Sequence, residues 1–331
     1  MVEKLSEFDL VSNVFGPLAA QAPGSLNLTD DAAIISPSSD QEVVVTADTI
    51  VEGVHFRSED PPKTVGVKAL AVNLSDLAAM GATPHGYTLS AAWPPGATAT
   101  WITDFALGLM SMQEQHHIYL LGGDTVATPG PICLNVTAFG LIDKGKAVRR
   151  SGARPGDVLY VTGTLGDAAL GLRLLMDQDS THLSTDLRSD LIFRYQQPQP
   201  RTMFSKLVRK HATSAIDVSD GLMADVTHLA STSHVQIVIR RSSIPISTAA
   251  RQMIDEDHAQ VVQVWAGGDD YELAFTAPRD PKVDKYIAEF SDIPVTEIGE
   301  VFKADGNAGA VTLVDDNDNT IDVGTGGFRH F

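Results

Sequence analysis

The chain has a single cysteine, Cys133, in 331 residues, so neither a disulfide framework nor a cysteine-built zinc site can form within it. Cys133 lies in the apolar run Pro131-Ile-Cys-Leu-Asn-Val136 and is expected to be a buried, inert thiol. Long hydrophobic runs are missing too: no stretch of about 18 apolar residues occurs. The start, Met1-Val-Glu-Lys-Leu-Ser-Glu-Phe-Asp9, carries acids where a secretory signal would be basic and then apolar. A cytoplasmic protein is expected. Positive charge is scarce: 24 Lys and Arg face 42 Asp and Glu, a net charge of -18. That balance argues against a nucleic-acid partner or an anionic membrane surface. The usual phosphate machinery is absent as well. There is no Gly-x-x-x-x-Gly-Lys-Ser/Thr loop, no His-Arg-Asp and no Asp-Phe-Gly.

What is present is an ordinary globular composition, 43% apolar and 20% charged, in a chain long enough for two domains. Strand-like runs alternate with helix-like ones, which predicts an α/β fold of mixed layers. Glu42-Val-Val-Val-Thr-Ala-Asp48 reads as a buried strand ending in an acid. Lys63 to Met80 reads as a helix with Gly81 at its C-cap, and Asn73 and Asp76 share one face of it. A strand from Tyr87 to Ala92, a helix from Thr98 to Gln115 and a strand from Ile118 follow, the last breaking at Gly122-Gly-Asp-Thr125. Another strand covers Ile132 to Ile142. Lys144 to Gly156 is basic, rich in Gly and Pro and without apolar periodicity, so it reads as the linker. It divides the chain into domains 1–149 and 150–331. The second half restarts with a strand at Asp157 to Thr162 and a helix from Asp167. Further strands are expected at Ser214 to Asp217, Val235 to Arg240, Tyr271 to Thr276, Thr296 to Val301 and Ala310 to Val314.

With 42 acids available, any one carboxylate is by default a solvated surface group. Context singles out a few. Asp48 closes an apolar strand, Asp124 follows Tyr119-Leu-Leu-Gly-Gly123, and Asp217 and Asp220 lie in Ser214-Ala-Ile-Asp-Val-Ser-Asp-Gly-Leu-Met223. Acids at strand ends beside small residues suit a ligand that approaches closely. Together with Asp30, Asp31 and Asp76 they suit several Mg²⁺ ions bridging to phosphate, since Mg²⁺ takes one or two carboxylates and fills its octahedron with phosphate oxygens and water. Metals would also resolve the conflict between an acidic protein and an anionic ligand. Arg149 and Arg150 are candidate phosphate grips, with plain surface solvation the alternative for Arg149. In Gly267-Gly-Asp-Asp-Tyr-Glu-Leu273 either Asp269 or Asp270 could enter a pocket, and an ordinary loop accounts for the same residues equally well. His55 reads as a hydrogen-bonded structural residue more readily than as a ligand contact. Asp315-Asp-Asn-Asp-Asn-Thr320 starts like a calcium loop, but Thr320 replaces the required Gly and Gly326 the required Glu. A polar turn between two strands is expected there instead.

The segments Thr29-Asp-Asp-Ala-Ala33, Thr46-Ala-Asp-Thr-Ile-Val-Glu-Gly-Val-His-Phe56, Ala69 to Ala82, Gly122-Gly-Asp-Thr125, Arg150-Ser-Gly-Ala-Arg-Pro-Gly-Asp157, Asp217-Val-Ser-Asp-Gly-Leu222 and Gly267 to Leu273 occur in this order. Together they resemble thiamine-monophosphate kinase, of the aminoimidazole-ribonucleotide synthetase-like superfamily. The resemblance implies an α/β (α+β), two-domain fold: an N-terminal mixed sheet with helices that forms a homodimer interface, and a C-terminal α/β domain. It implies transfer of the ATP γ-phosphoryl group to thiamine monophosphate with several Mg²⁺ ions. On this resemblance the first domain binds ATP and metal and dimerises, and the second completes the substrate and phosphate site. Asp31, Thr46, the Ala47 backbone, Asp48, Asp76, Asp124, Asp217 and Asp220 match metal positions. Of these, Asp48, Asp76, Asp124 and Asp217 are the catalytic set, and Asp30 becomes a supporting residue. Gly123, Asp124, Arg150 and Ser219 match ATP contacts; His55, Asp269 and Phe328 match substrate contacts. Three departures stand out: Ala47 replaces a common Thr, Asp269 a common Glu, and Ala106 a common Tyr. The competing readings are another ATP-using enzyme of the superfamily, acting on a purine-pathway amide or formyl substrate, and a non-catalytic metal- or nucleotide-binding regulator. Selenophosphate synthesis and hydrogenase maturation would want a reactive cysteine near the N-terminus or at the C-terminus, and Cys133 is in neither place.

Overall fold

The computed structural model describes residues 9–176, 182–288, 293–306 and 308–323. The chain forms two compact units, one of residues 1–77 and 82–146, the other of 78–81 and 147–331. Among the described residues no helix is long and apolar enough to cross a membrane.

Unit 1 is built on a four-stranded sheet: β1 (Gln41–Val51), β2 (Thr83–Trp93), β3 (Tyr119–Ala127) and β4 (Cys133–Asp143). The strand order is β1-β4-β2-β3, antiparallel except for the parallel β2–β3 pair. Helix α1 (Pro62–Ala79) joins β1 to β2, and α2 (Ala99–His116) joins β2 to β3. The Thr98 hydroxyl caps α2 by accepting from the Trp101 N–H. Gly81, past the end of α1, has φ 73°, a left-handed conformation that glycine adopts without strain.

The two faces of this sheet differ. Along β4 the residues Leu134, Val136, Ala138 and Ile142 are buried, while Asn135, Thr137, Phe139 and Leu141 are only half covered. Register carries the same division into β1: Thr46, Asp48 and Ile50 pair with Ala138, Val136 and Leu134, and Val43 and Val45 pair with Leu141 and Phe139. Residues opposite one another in a ladder share a face. One face is therefore packed, and the other leaves Val45 57% and Val126 50% exposed. Cys133 belongs to the open face, opposite Val51 and Ala92, and is half-buried rather than buried.

The expected break of the third strand at Gly122 does not occur. β3 runs through Gly122, Gly123 and Asp124 to Ala127, paired with Thr88 to Trp93 after a bulge at Tyr87/Thr88. A Cβ on Gly123 would lie 1.9 Å from the Leu89 carbonyl oxygen. The glycine lets two strands approach; it does not end one.

Unit 2 carries a six-stranded mixed sheet, order β10-β7-β9-β5-β8-β6. Its strands are β5 (Asp157–Thr162), β6 (Ser214–Val218), β7 (Val235–Arg240), β8 (Glu272–Pro278), β9 (Val295–Lys303) and β10 (Val311–Val314). Helices α3 (Asp167–Leu175), α4 (Thr185–Gln196), α5 (Leu222–Ser233) and α6 (Thr248–Glu256) complete its main framework. β5, β6 and the inner part of β8 are buried on both sides, which is why they read as continuous apolar runs. The acidic segment after β10 is a polar turn: Asp315 Oδ1 accepts from the Asn317 and Asn319 N–H groups, and a single bridge joins Val314 to Thr320.

Candidate active site

The first cluster lies on the packed face of unit 1. Thr46 and Asp48, two apart on β1, point the same way, and α1 brings Asp76 to them. The Thr46 hydroxyl donates to Asp76 Oδ2. Burial, then the charge of Asp76, then a hydrogen bond shared with it, push the Asp48 carboxyl up to about 7. Two carboxylates that resist being ionised together are relieved by a divalent cation between them. Among the described residues no group of three or more His, Cys, Asp and Glu is arranged to hold a metal. The pair plus a hydroxyl still fits Mg²⁺, which draws most of its shell from phosphate and water. The Ala47 side chain projects to the opposite, open face, so only its backbone could serve this cluster.

Beyond β1 the chain turns back on itself: the His55 N–H donates to the Val51 carbonyl at 2.9 Å, and the Val51 N–H donates to His55 Nδ1 at 3.1 Å. An accepting Nδ1 places the ring proton on Nε2. His55 is half-buried, and these two bonds fix its orientation.

Asp30, Asp31, Gly123 and Asp124 line a separate cavity of about 460 Å³ beside β3, together with apolar groups such as Phe15, Leu28 and Leu120. Asp30, Asp31 and Asp124 are exposed. Asp124 pairs with Ser90, which pairs with Asn135, so it projects from the open face. β1 and β3 are the two edges of the sheet, three strand spacings or about 14 Å apart. One copy of the sheet thus places Asp48 with Asp76 and, at the other edge and on the other face, Asp124.

The remaining described candidates lie in unit 2. β6 delivers Asp217, 4% exposed, and the chain then turns through Ser219, Asp220 and Gly221 into α5. Gly221 has φ 116°, and a Cβ there would be 2.9 Å from the Ala266 carbonyl carbon. The turn is held by a residue the sequence did not single out. Asp225, in the first turn of α5, accepts from the Ser219 and Asp220 N–H groups, both at 3.0 Å. Burial first, and then the charge of Asp220, raise its carboxyl to about 7. An acid in the first turn of a helix was the available signal. Arg150 is placed by its backbone: Ser233, at the other end of α5, donates to its carbonyl and accepts from the Gly152 and Ala153 N–H groups. Arg149 gives its carbonyl to the Ala215 N–H.

The Gly267–Tyr271 loop docks on the same turn, with the Asp269 N–H donating to Ser219 O and the Tyr271 N–H to Val218 O. Its two acids separate cleanly. Asp270 is 1% exposed and accepts from the Gly166 and Ala168 N–H groups at the start of α3. Burial drives its carboxyl well above the ordinary range, against the pull of Arg194. Asp269 is half-buried in a left-handed conformation, φ 69°. Asp270 has a structural post, whereas the Asp269 carboxylate accepts from the Tyr271 hydroxyl at 3.2 Å. Behind the loop, Glu272 is fully buried between Thr162, Arg194 and Arg201. Such a charge is tolerated only because its oxygens are all engaged. Phe328 lies outside the described residues.

The first strand does not end at Asp48 as expected but runs on to Val51, so Asp48 and Asp124 sit within β1 and β3 and only Asp217 lies near a strand end. Two tandem α/β units carrying such acids define a class, and comparison places it. The AIR synthase related protein N-terminal domain matches residues 29–142 and the corresponding C-terminal domain residues 154–312. The chain is 38% identical over 309 residues to the thiamine-monophosphate kinase of Caulobacter vibrioides, covering 91% of this chain and 85% of that one. It superposes with a TM-score of 0.82 on the crystal structure of thiamine-monophosphate kinase from Stenotrophomonas maltophilia, at 40% identity over 95% of this chain and 98% of that one. A structure of AaThiL complexed with AMPPCP and TMP gives a TM-score of 0.77 at 29% identity, over 99% of each chain. The chain belongs to the thiamine-monophosphate kinase family, within the AIR synthase related proteins.

Proposed function

We propose that the protein transfers the γ-phosphoryl group of ATP to the phosphate of thiamine monophosphate, giving thiamine diphosphate, as a cytoplasmic homodimer. The observation that carries this reading is the paired Asp48 and Asp76 carboxyls beside the Thr46 hydroxyl, in a chain similar along most of its length to thiamine-monophosphate kinases. The acceptor is a phosphate monoester with a second pKa near 6, so at pH 7 it is mostly a dianion and a competent nucleophile. No general base is needed. The difficulty is charge: two polyphosphate-like groups must meet in line inside a protein of net charge -18.

Bound Mg²⁺ would supply charge neutralisation and a fixed geometry for both phosphates. Thr46, the Ala47 carbonyl, Asp48 and Asp76 would hold one share of it, Asp31 and Asp124 a second, and Asp217 and Asp220 a third. In this reading residues 1–149 bind metal and nucleotide and dimerise, while residues 150–331 complete the substrate and phosphate site. Gly123 offers its backbone and Arg150 its guanidinium to ATP, and Ser219 is held by Asp225 to face the same ligand. His55, Asp269 and Phe328 would meet thiamine monophosphate. The acid at 269 suits a cationic thiazolium, with one methylene less reach than a Glu.

Transfer is direct, without a phosphoenzyme. Purified protein incubated with ATP, Mg²⁺ and thiamine monophosphate should yield thiamine diphosphate in equal amount to ADP. ATP consumption without that product would defeat the substrate assignment. Phosphorylated protein trapped after ATP, or retention at a chiral γ-phosphorus, would defeat direct transfer.

The dimer is argued from the open face. Val43, Val45 and Val126 are exposed there, and Phe139 and Leu141 only half covered. Val43 and Val45 with Phe139 and Leu141 form an apolar patch at the β1–β4 side of that face, of the kind that marks an interface.

A further inference from the structure

Unit 2 contains a second small cavity, of about 170 Å³, formed under the segment from Arg241 to Ile246 and against α6 and Trp265. Aliphatic groups such as Ile244, Ile254 and Val264 line it, together with Arg241 and Arg251. None of these residues matches a family ATP, metal or substrate position, so the inference stands apart from the proposed function.

Three observations define what would fit. Trp265 is 5% exposed, and its indole Nε1 has no hydrogen-bond acceptor. Buried donors are ordinarily paired, and an indole N–H can only donate, so an acceptor is wanted beside it. Arg241 and Arg251 are solvent-exposed, and neither takes part in an ion pair among the described residues. Arg241 acts on Asp315, which is held low chiefly by Asn319 and least by that arginine. Among the described residues no carboxylate lines the cavity, in a protein whose acids outnumber its Lys and Arg by 42 to 24. Its volume is close to the roughly 150 Å³ apolar cavity that accepts benzene and well under the roughly 300 Å³ at which pockets for larger ligands begin. The nucleotide and the thiamine phosphate are both too large for it.

We propose that this cavity binds a compact apolar monocarboxylate, its carboxylate held by Arg241 and Arg251 with one oxygen accepting from the Trp265 indole N–H, and its hydrocarbon body against Ile244, Ile254 and Val264. A guanidinium fork matches two carboxylate oxygens at once, the apolar walls favour a body without polar atoms, and the free indole donor meets an acceptor. Trp265 runs through Ala266 into the Gly267–Tyr271 loop, so the ligand would sit directly behind the segment that presents Asp269.

The test uses benzoate as the probe and benzamide as its neutral counterpart, on the full chain labelled with ¹⁵N. The three tryptophans give three indole resonances, and Trp265→Phe identifies the one from the cavity. Benzoate should shift that resonance saturably, benzamide should bind at least about tenfold more weakly, and the double variant Arg241→Gln, Arg251→Gln should weaken benzoate by at least about tenfold, the loss expected for a charge-assisted hydrogen bond. No saturable shift, equal affinity for benzamide, or unchanged affinity in the double variant would each overturn the proposal. Should Trp265→Phe fail to fold, calorimetric titration of benzoate into the wild type and the double variant decides the matter, because both arginines are exposed and their loss leaves the core intact.

Discussion

Asp48 and Asp76 repel each other in the space between β1 and α1, and that repulsion is a usable property. Asp48 takes its proton near pH 7 in the metal-free protein, because burial and then Asp76 oppose its ionisation. A carboxyl raised from its unfolded value of about 3.9 binds its proton more tightly when folded. Its contribution to stability is complete below that unfolded value and is lost as pH rises through about 7. With EDTA present, the denaturation midpoint should therefore fall as pH is raised from 5 to 8, and Asp48→Asn should flatten the slope. Mg²⁺ should raise the midpoint more at pH 8 than at pH 6, since protons compete for the same oxygens. Both Asp48→Asn and Asp76→Asn should lower turnover by at least about two orders of magnitude, the scale of a lost electrostatic contact in a phosphoryl-transfer site. Near-normal turnover in either, at moderate Mg²⁺, removes that residue from the metal site.

At the scale of elements, α5 sets the geometry of two separate segments. Its first turn fixes Ser219 and Asp220 through Asp225, and its last residue fixes Arg150 through Ser233. Both N–H groups meet the same Asp225 oxygen, so Asp225→Asn can keep both bonds on its one carbonyl oxygen, whereas Asp225→Ala strands two half-buried donors. The alanine variant should lose about 2–4 kcal/mol of stability, together with about tenfold in turnover and a higher KM for ATP. The asparagine variant should recover most of each. Denaturant titration and steady-state kinetics read the two effects. If both variants keep full turnover and ATP affinity, Asp225 serves the fold alone.

This anchoring also marks where sequence reasoning reaches and stops. Most strands and helices were legible, because their burial follows the period of the residues: β5 and β7 begin and end where the apolar runs do. β3 was misread because a glycine pair signals a turn and a close strand approach alike, and only the Leu89 carbonyl distinguishes them. The residues alone left Asp269 and Asp270 open, and only the resemblance singled out Asp269. The post that Asp270 occupies was not legible, because its Gly166 and Ala168 N–H partners lie about a hundred residues away in the chain. Asp225 escaped notice because its place in the first turn of a helix marks an acid there without saying that it binds the Ser219 and Asp220 N–H groups.

For the whole molecule the question is what completes the site. Asp48 lies on the packed face of the unit 1 sheet at one edge, and Asp124 on the open face at the other. If both serve one pair of phosphates they must meet around the β1 edge, and a second copy packed on the open face with its β3 over this β1, about 10 Å away, brings its Asp124 nearer to that edge than the roughly 14 Å between the two edges of one sheet. A two-fold dimer through that face would then hold two composite sites, each using both chains. If the proposed dimer forms through that face, Val45→Asp, which puts a charge on it, should leave only monomers in sedimentation and abolish turnover while keeping the fold intact by circular dichroism. The composite arrangement makes a sharper prediction. Asp48→Asn and Asp124→Asn proteins, each inactive alone, should regain about a quarter of wild-type activity when mixed in equal amounts and allowed to exchange subunits. Half of the dimers are then mixed, and each mixed dimer has one site with both acids intact and one with neither. Activity that stays at the level of the separate variants, with exchange verified by mass, would place each complete site within a single chain and leave the open face with a purely structural interface.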